Sequence, residues 1–396
     1  MELTLPAFKI EVQQELDRIL TYWSNYAVDF KHGGFAGKIS NDNQVDARAP
    51  KGSVLNSRIL WSYSAAYNIN KKAQYLQLAE RAYKYMVNYF IDERYGGVFW
   101  TVDFEGKPLD TTKQVYAIAF AIYGLSEYYR ASEEEQAKQL AMRLYDVVVK
   151  HNCDSQYGGY TEAFSREWKE LEGLPGSHKD ANENKSTDTH LHVLEAFANL
   201  YRIWPDKDLK QRIVELIKLF LNQIIHPVGN HLSLFFNKQW VPQGNTQSFG
   251  HDIEAAWLIQ EAAEIIQDAA LAEVVKARCV EVANAASRGL DVDGGLWLEY
   301  TFDDQHLGKE KLWWPQAEAM VGYYNVWQIT GQEDYLQKAQ GSWQFIKKHL
   351  LSPEGEWYWG VDANNAIMKG EDKVGMWKCP YHNSRACMEI ISRIKS

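Results

Sequence analysis

A short glycine–aromatic segment recurs along the chain, and this recurrence limits the possible folds more than any other feature of the sequence. It reads HGGFAGKI at Gly33, YGGVFWTV at Gly96, YGGYTEAF at Gly158 and DGGLWLEY at Gly294. Degenerate copies, GNHLSLFF at Gly229 and GEWYWGVD at Gly355, fill the gaps, and the spacing stays between 61 and 71 residues. A fixed period marks supersecondary units that bury their apolar faces only by packing on their neighbours. Six units occupy the 396 residues with no Pro- or Ser-rich linker between them. One domain over residues 1–396 is the expectation.

Each unit holds two stretches of helical periodicity. Phe8, Val12, Leu16, Ile19, Leu20 and Trp23 form the apolar stripe of a first helix. Comparable patterns begin near residues 7, 53, 71, 111, 133, 187, 207, 249, 270, 315, 333 and 380, which predicts twelve helices in six pairs. Breaks fall at Asn68–Asn70 and at Pro205–Asp206, where Asp206 is placed to cap the next helix. Even-numbered helices, such as 115–129 and 254–266, are apolar almost all round, whereas odd ones, such as 73–90, carry charge on one face. An apolar helix is buried on several sides and an amphipathic one covers it. The predicted fold is therefore all-α: an (α/α)6 barrel of six helical hairpin repeats, with short β segments in the long loops. An open solenoid is the alternative, and short loops at one end with long ones at the other favour closure.

Composition narrows the function. The net charge of −10 argues against nucleic acid or an anionic membrane as partner, since both need a basic patch. No run of about 18 apolar residues is present. Cys153, Cys279, Cys379 and Cys387 show neither C-x-x-C spacing nor clustering with histidine, which fits a reducing compartment and gives no zinc motif. The first residues lack the basic and apolar regions of a secretory signal, so a cytoplasmic protein is expected. The acidic surface fits a monomer or weak homodimer. Aromatic residues make up 13% of the chain, and serve either a large core or stacking platforms for sugar faces.

In a closed barrel, the long loops and the N-terminal ends of the inner helices share one face, where free backbone N–H groups collect. The polar and aromatic residues at those starts are Arg58, Tyr116, Asp188, His190, His192, His251, Glu254, Trp313, Trp314, Glu318, Trp377 and His382. Every inner helix contributes at least one. Histidine gives and accepts protons near neutral pH. His190 and His192 lie two apart and so occupy different faces of their helix; spacing does not choose between them. With no H-E-x-x-H present, a metal is the weaker reading, and the GG segments end in aromatics without a following G-K-S/T, so no metal and no cofactor are expected. Glu254 follows His251 by three residues, on the same face, where it suits orienting that imidazole. Trp313, Trp314 and Trp377 read as sugar platforms or as core.

THLHVLEAF, GHDIEAAW, WWPQAEAM and the terminal WKCPYHNSRACME resemble the N-acylglucosamine 2-epimerase superfamily over essentially the full length, and within it the branch acting on cellobiose. The resemblance implies reversible inversion at C2 of the reducing-end glucose of a β-1,4-linked disaccharide, with no cofactor. It puts the catalytic histidine pair on His251 and His382 and the third histidine on His192, and leaves His190 to packing. Arg58, Tyr116, Glu254, Trp314 and Glu318 match further pocket positions, and Trp377 matches a platform under the second sugar. Asp188 stands where the superfamily usually has asparagine, which exchanges an amide for an acceptor-only group. In this reading His382 and His251 exchange the C2 proton from opposite sides, Arg58 and His192 hold the oxyanion, and Glu254 fixes His251. Rival readings are a mannose aldose–ketose isomerase, an N-acylglucosamine 2-epimerase, a glycoside hydrolase and a sugar-binding scaffold.

Overall fold

The computed structural model describes residues 3–171 and 184–395. Twelve α-helices lie among them: α1 Leu5–Tyr26, α2 Ser53–Asn70, α3 Ala73–Tyr85, α4 Val115–Ser132, α5 Glu135–His151, α6 Thr187–Ile203, α7 Lys207–Leu219, α8 Phe249–Ile265, α9 Ala269–Ala286, α10 Trp313–Thr330, α11 Glu333–His349 and α12 Tyr381–Arg393. The predicted starts agree to within a few residues. The largest difference is α4, expected near residue 111 and starting at Val115. Lys113 and Gln114 are held instead in a strand pair with Phe164 and Ala163, and the tertiary pairing overrides local periodicity. Both sequence breaks hold: α2 ends where Lys71 turns left-handed, and Asp206 caps α7 by accepting from the N–H groups of Asp208 and Leu209.

Burial separates the two rings. Every residue from Ser53 to Ala66 in α2 and from Val115 to Tyr128 in α4 is buried. In α3 only Tyr75, Ala79, Ala82 and Tyr85 are buried, a single stripe. The even helices pack in a ring in the order α2, α4, α6, α8, α10, α12 and back to α2. Gly124 lets α4 approach α2 closely, since a Cβ there would lie 2.7 Å from the Ser57 carbonyl oxygen. The outer helix α1 packs on α12, so the first and last helices join across the seam. Among the described residues no helix is long and apolar enough to cross a membrane.

The repeated segment proves to be the joint of each unit. After each outer helix the chain turns back on itself, making the bridges Val28–Phe35, Ile91–Val98, Cys153–Tyr160, Ile225–Leu232, Leu290–Leu296 and Leu351–Trp357. The two degenerate copies are thus structurally equivalent to the others. The turn needs positive φ, which Gly96 and Gly97 supply at +77° and +73°; in the fourth unit Asn230 takes φ +56° instead. The residues before each inner helix then pair with the next unit. Lys51–Gly52 pairs with Thr101–Val102, Lys185–Ser186 with Phe235–Phe236, and Lys311–Leu312 with Gly360–Val361. Ile39 with Val374 closes the circle from the sixth unit to the first.

A buried ion pair locks most of these joints. The lysine just before an inner helix reaches an acidic residue of its own unit: Lys51 to Asp29 at 2.7 Å, Lys113 to Asp92 at 2.9 Å, Lys185 to Asp154 at 2.7 Å, Lys311 to Asp291 at 2.7 Å and Lys378 to Glu356 at 2.6 Å. The fourth unit substitutes Gln247, whose amide donates to Asp252 at 2.7 Å. This second repeat is additional to the glycine–aromatic one. Its signal was present, as a basic residue two or three positions before each of five inner helices. Removing one partner strands a buried charge, which costs about 3–5 kcal/mol. Asp92→Ala is therefore expected to lower the unfolding free energy by about that amount in urea titrations, while Gln77→Ala, at an exposed position of α3, leaves it within about 0.5 kcal/mol.

Candidate active site

The N-terminal ends of the inner helices surround a cavity of about 320 Å³. It is lined by Arg58 from α2, Tyr116 from α4, Asp188 and His192 from α6, His251 and Glu254 from α8, Trp313 and Trp314 from α10, His382 from α12, and Trp359 and Trp377 from loops. Ten of the eleven site residues predicted from sequence meet there. A cavity at the opposite end, about 380 Å³, is lined by Glu127, Arg130, Glu261 and the far side of Arg385, and has no histidine in its wall.

Each imidazole is held differently. His192 is buried, with Nδ1 at 3.0 Å from Glu195 Oε2 and Nε2 at 3.1 Å from Asp188 Oδ1. Burial alone would pull its pKa down, but the bonds to Asp188 and Glu195 outweigh that and raise it to about 9. His382 donates Nδ1–H to Glu318 Oε1 at 2.7 Å, which leaves Nε2 on the cavity side. Burial, assisted by the positive charges of Arg58 and Arg385, holds His382 well below the usual range despite the pull of Glu254. His251 has its Nδ1 2.8 Å from Ser248 Oγ and its Nε2 3.6 Å from Asp188 Oδ1. Trp314 lies beside both, 4.8 Å from His251 and 5.7 Å from His382 between ring centres, which brings the two imidazoles to one part of the cavity.

Two expectations are corrected by this geometry. Glu254 does not orient His251: its Oε1 accepts from Arg385 Nη2 at 2.7 Å, and Ser248 holds the imidazole. The reason is steric neighbourhood, because α12 presents a guanidinium closer to Glu254 than its own helix presents the histidine. Glu318 does not line the cavity; it lies one layer behind, under His382. His190 is core, as expected, since Nδ1 binds the Ser186 carbonyl at 2.7 Å, Nε2 accepts the Tyr160 N–H at 2.9 Å, and burial lowers it to about 4.

Arg385 is the residue the sequence reading missed. Fully buried, its Nη1 meets Glu195 and Tyr381, and its Nη2 meets Glu254 at 2.7 Å and Glu318 at 2.6 Å. Glu254, Glu318 and His382 cluster closely enough to suggest a metal site, but the guanidinium already supplies the positive charge between the two carboxylates. Arg58 donates to Tyr116 Oη at 2.8 Å and lies over the Phe120 ring. At the mouth Trp377, 45% exposed, stands within 5.9 Å of Tyr116 and 5.8 Å of Trp100 between ring centres. Trp313 packs on Trp359 at 4.4 Å and presents only a sliver to the cavity.

The raised His192 has a consequence for stability. A group protonated more tightly in the folded state stabilises fully below its unfolded pKa, about 6.5, and that contribution is lost as pH rises through about 9. The unfolding free energy is expected to decline between those values, by up to about 3 kcal/mol. In His192→Gln the slope should be shallower by about one proton, measured by urea unfolding at several pH values.

Comparison with known proteins gives consistent results. The sequence profile of the N-acylglucosamine 2-epimerase (GlcNAc 2-epimerase) family matches residues 33–386. A cellobiose 2-epimerase of Bacteroides fragilis is 44% identical over 385 residues, 97% of this chain and 98% of that protein. One from Ruminococcus albus is 38% identical over 390 residues, 97% and 98% of the two chains. The solved structure of cellobiose 2-epimerase from Bacillus thermoamylovorans superposes with a TM-score of 0.94 at 36% identity, covering 98% of this chain and 99% of that one.

Proposed function

This chain belongs to the N-acylglucosamine 2-epimerase family, and from that premise we propose that it inverts C2 of the reducing-end glucose of β-1,4-linked disaccharides, turning cellobiose into glucosylmannose and lactose into epilactose. It is a carbohydrate epimerase, an isomerase. Residues 1–396 act as one catalytic domain. The observation that carries the two-base reading is the pair of imidazoles, His251 and His382, in the wall of one cavity with different supports behind them.

The chemistry requires this pairing. A C2 proton is removable only after the sugar ring opens to the aldehyde, which delocalises the electron pair into an enediolate. One base takes the proton from one face, and an acid on the other face delivers its own proton to C2, which inverts the centre. Arg58 supplies a positive hydrogen-bond donor for the charge that develops on the C1 oxygen, typically worth about 3–4 kcal/mol, and the His192 imidazolium, whose two N–H groups go to Asp188 and Glu195, adds positive charge in the same wall. Glu318 fixes His382 as the Nδ1–H tautomer, so that Nε2 meets substrate. Trp377, exposed at the mouth, offers an apolar face to the second sugar.

Incubation with cellobiose in heavy water, followed by NMR, is expected to show glucosylmannose carrying deuterium at C2. A ketose product would indicate aldose–ketose isomerisation, free glucose would indicate hydrolysis, and binding without exchange would leave only a carbohydrate-binding barrel. His251→Ala and His382→Ala should each lower kcat by about 10²–10⁴-fold while the far-UV spectrum stays unchanged; near-normal turnover in either would end the two-base reading. Trp377→Ala should raise KM for cellobiose about tenfold and leave use of a monosaccharide little changed.

A further inference from the structure

We propose that Asp188 makes His251 the acid of the imidazole pair, by sharing one carboxylate oxygen between Nε2 of His192 and Nε2 of His251, and so leaves His382 as the base. The assignment rests on the C2-epimerase reading and deepens it, giving each histidine one role in the resting protein.

The hydrogen bonds of His192 come first. Both its nitrogens face carboxylates, Glu195 at 3.0 Å and Asp188 at 3.1 Å, and a carboxylate only accepts. Both nitrogens therefore carry hydrogen, and His192 is an imidazolium. The charges of the site can then be balanced. Arg58, Arg385 and His192 are cationic, whereas Asp188, Glu195, Glu254 and Glu318 are anionic. Glu318 is raised by its burial, yet it accepts from Arg385, His382 and Trp257, which hold it as a carboxylate. One negative charge is left over in the cavity wall, where Asp188 lies against His251. A proton on His251 neutralises it.

The surroundings of the two imidazoles agree with that count. From α6, His251 faces Asp188 at 3.6 Å and, beyond it, His192; its own helix adds Glu254 and the adjacent Asp252, which burial raises to about 7; α10 adds the uncharged Trp314; and Ser248 Oγ at Nδ1 serves either protonation state. Burial works against the charged form, but Asp188 and Glu254 outweigh burial and the repulsion of His192 to raise His251. His382 feels the positive charges of Arg58 and Arg385, and the carboxylate at its Nδ1 is shared with Arg385.

The resulting step balances. His382 Nε2 takes the C2 proton, and the C–H electron pair moves into the C1–C2 double bond, placing charge on the C1 oxygen. The enediolate then collapses towards C2, where His251 delivers its proton to the opposite face and the C1 carbonyl re-forms. Turnover leaves His382 protonated and His251 neutral. A proton must exchange with solvent before the next cycle in the same direction.

Asp188→Asn tests this, because it keeps the shape and removes the charge; Asp188→Ser serves as a second variant, and thermal unfolding confirms that both are folded. NMR titration of the histidine side chains reads the charge on His251 without any need for activity. Its midpoint is expected to fall by about one pH unit or more in Asp188→Asn. The alkaline limb of the kcat/KM profile for cellobiose should move down by the same amount, with about a tenfold loss at pH 8 that is recovered near pH 6. An unchanged His251 midpoint, or an unchanged alkaline limb, would overturn the assignment. If the unmodified protein exchanged no C2 proton, the epimerase reading would fail instead, and the NMR titration would still judge Asp188.

Discussion

The arrangement of the site depends on one buried guanidinium. Arg385, near the end of the chain, reaches Glu195 of α6, Glu254 of α8 and Glu318 of α10 from its place on α12. Three carboxylates in a dry interior would repel one another and favour protonation. With Arg385 among them they are acceptors of fixed position. Arg385, His192 and Tyr381 outweigh burial and lower Glu195 to about 2, so it stays charged and keeps His192 charged. Glu318, on the same guanidinium, orients His382. A single side chain thereby couples the supports of two imidazoles on different helices.

The fold makes that concentration of charge possible. Six inner helices point their N-terminal ends at one cavity, and each carries a β segment that hydrogen-bonds to the following unit. The lysine–carboxylate joints, with Gln247 and Asp252 in the fourth unit, fix where each inner helix begins, and a cavity-lining side chain lies within about two turns of that start. Positions are set by backbone pairing and buried ion pairs, not by flexible loops, so the imidazoles are held before substrate enters. Such preorganisation is worth more than hydrogen bonds that must be formed during the reaction.

Electrostatics divide the labour among three histidines that look alike in sequence. His192 has two carboxylates that raise it to about 9, His382 has one carboxylate already shared with an arginine, and His251 has a serine and a more distant aspartate. The same side chain is a cation in one place and, in the mechanism we propose, a base and an acid in the other two, according to which partners lie within about 3–4 Å. His190, two residues from His192, is withdrawn from the cavity by backbone bonds alone.

The ring architecture, the order of inner and outer helices and ten of the residues around the cavity were legible in the linear chain. Glycine spacing and apolar periodicity are local properties, and a repeat forces equivalent positions into equivalent places. What the tertiary structure alone decided was pairing. Glu254 follows His251 by three residues, yet it bonds to an arginine 131 positions away; Arg385 itself carried no local mark of its importance. Partners of a buried charge are chosen by which helix faces it across the core, and nothing in a one-dimensional pattern encodes that distance.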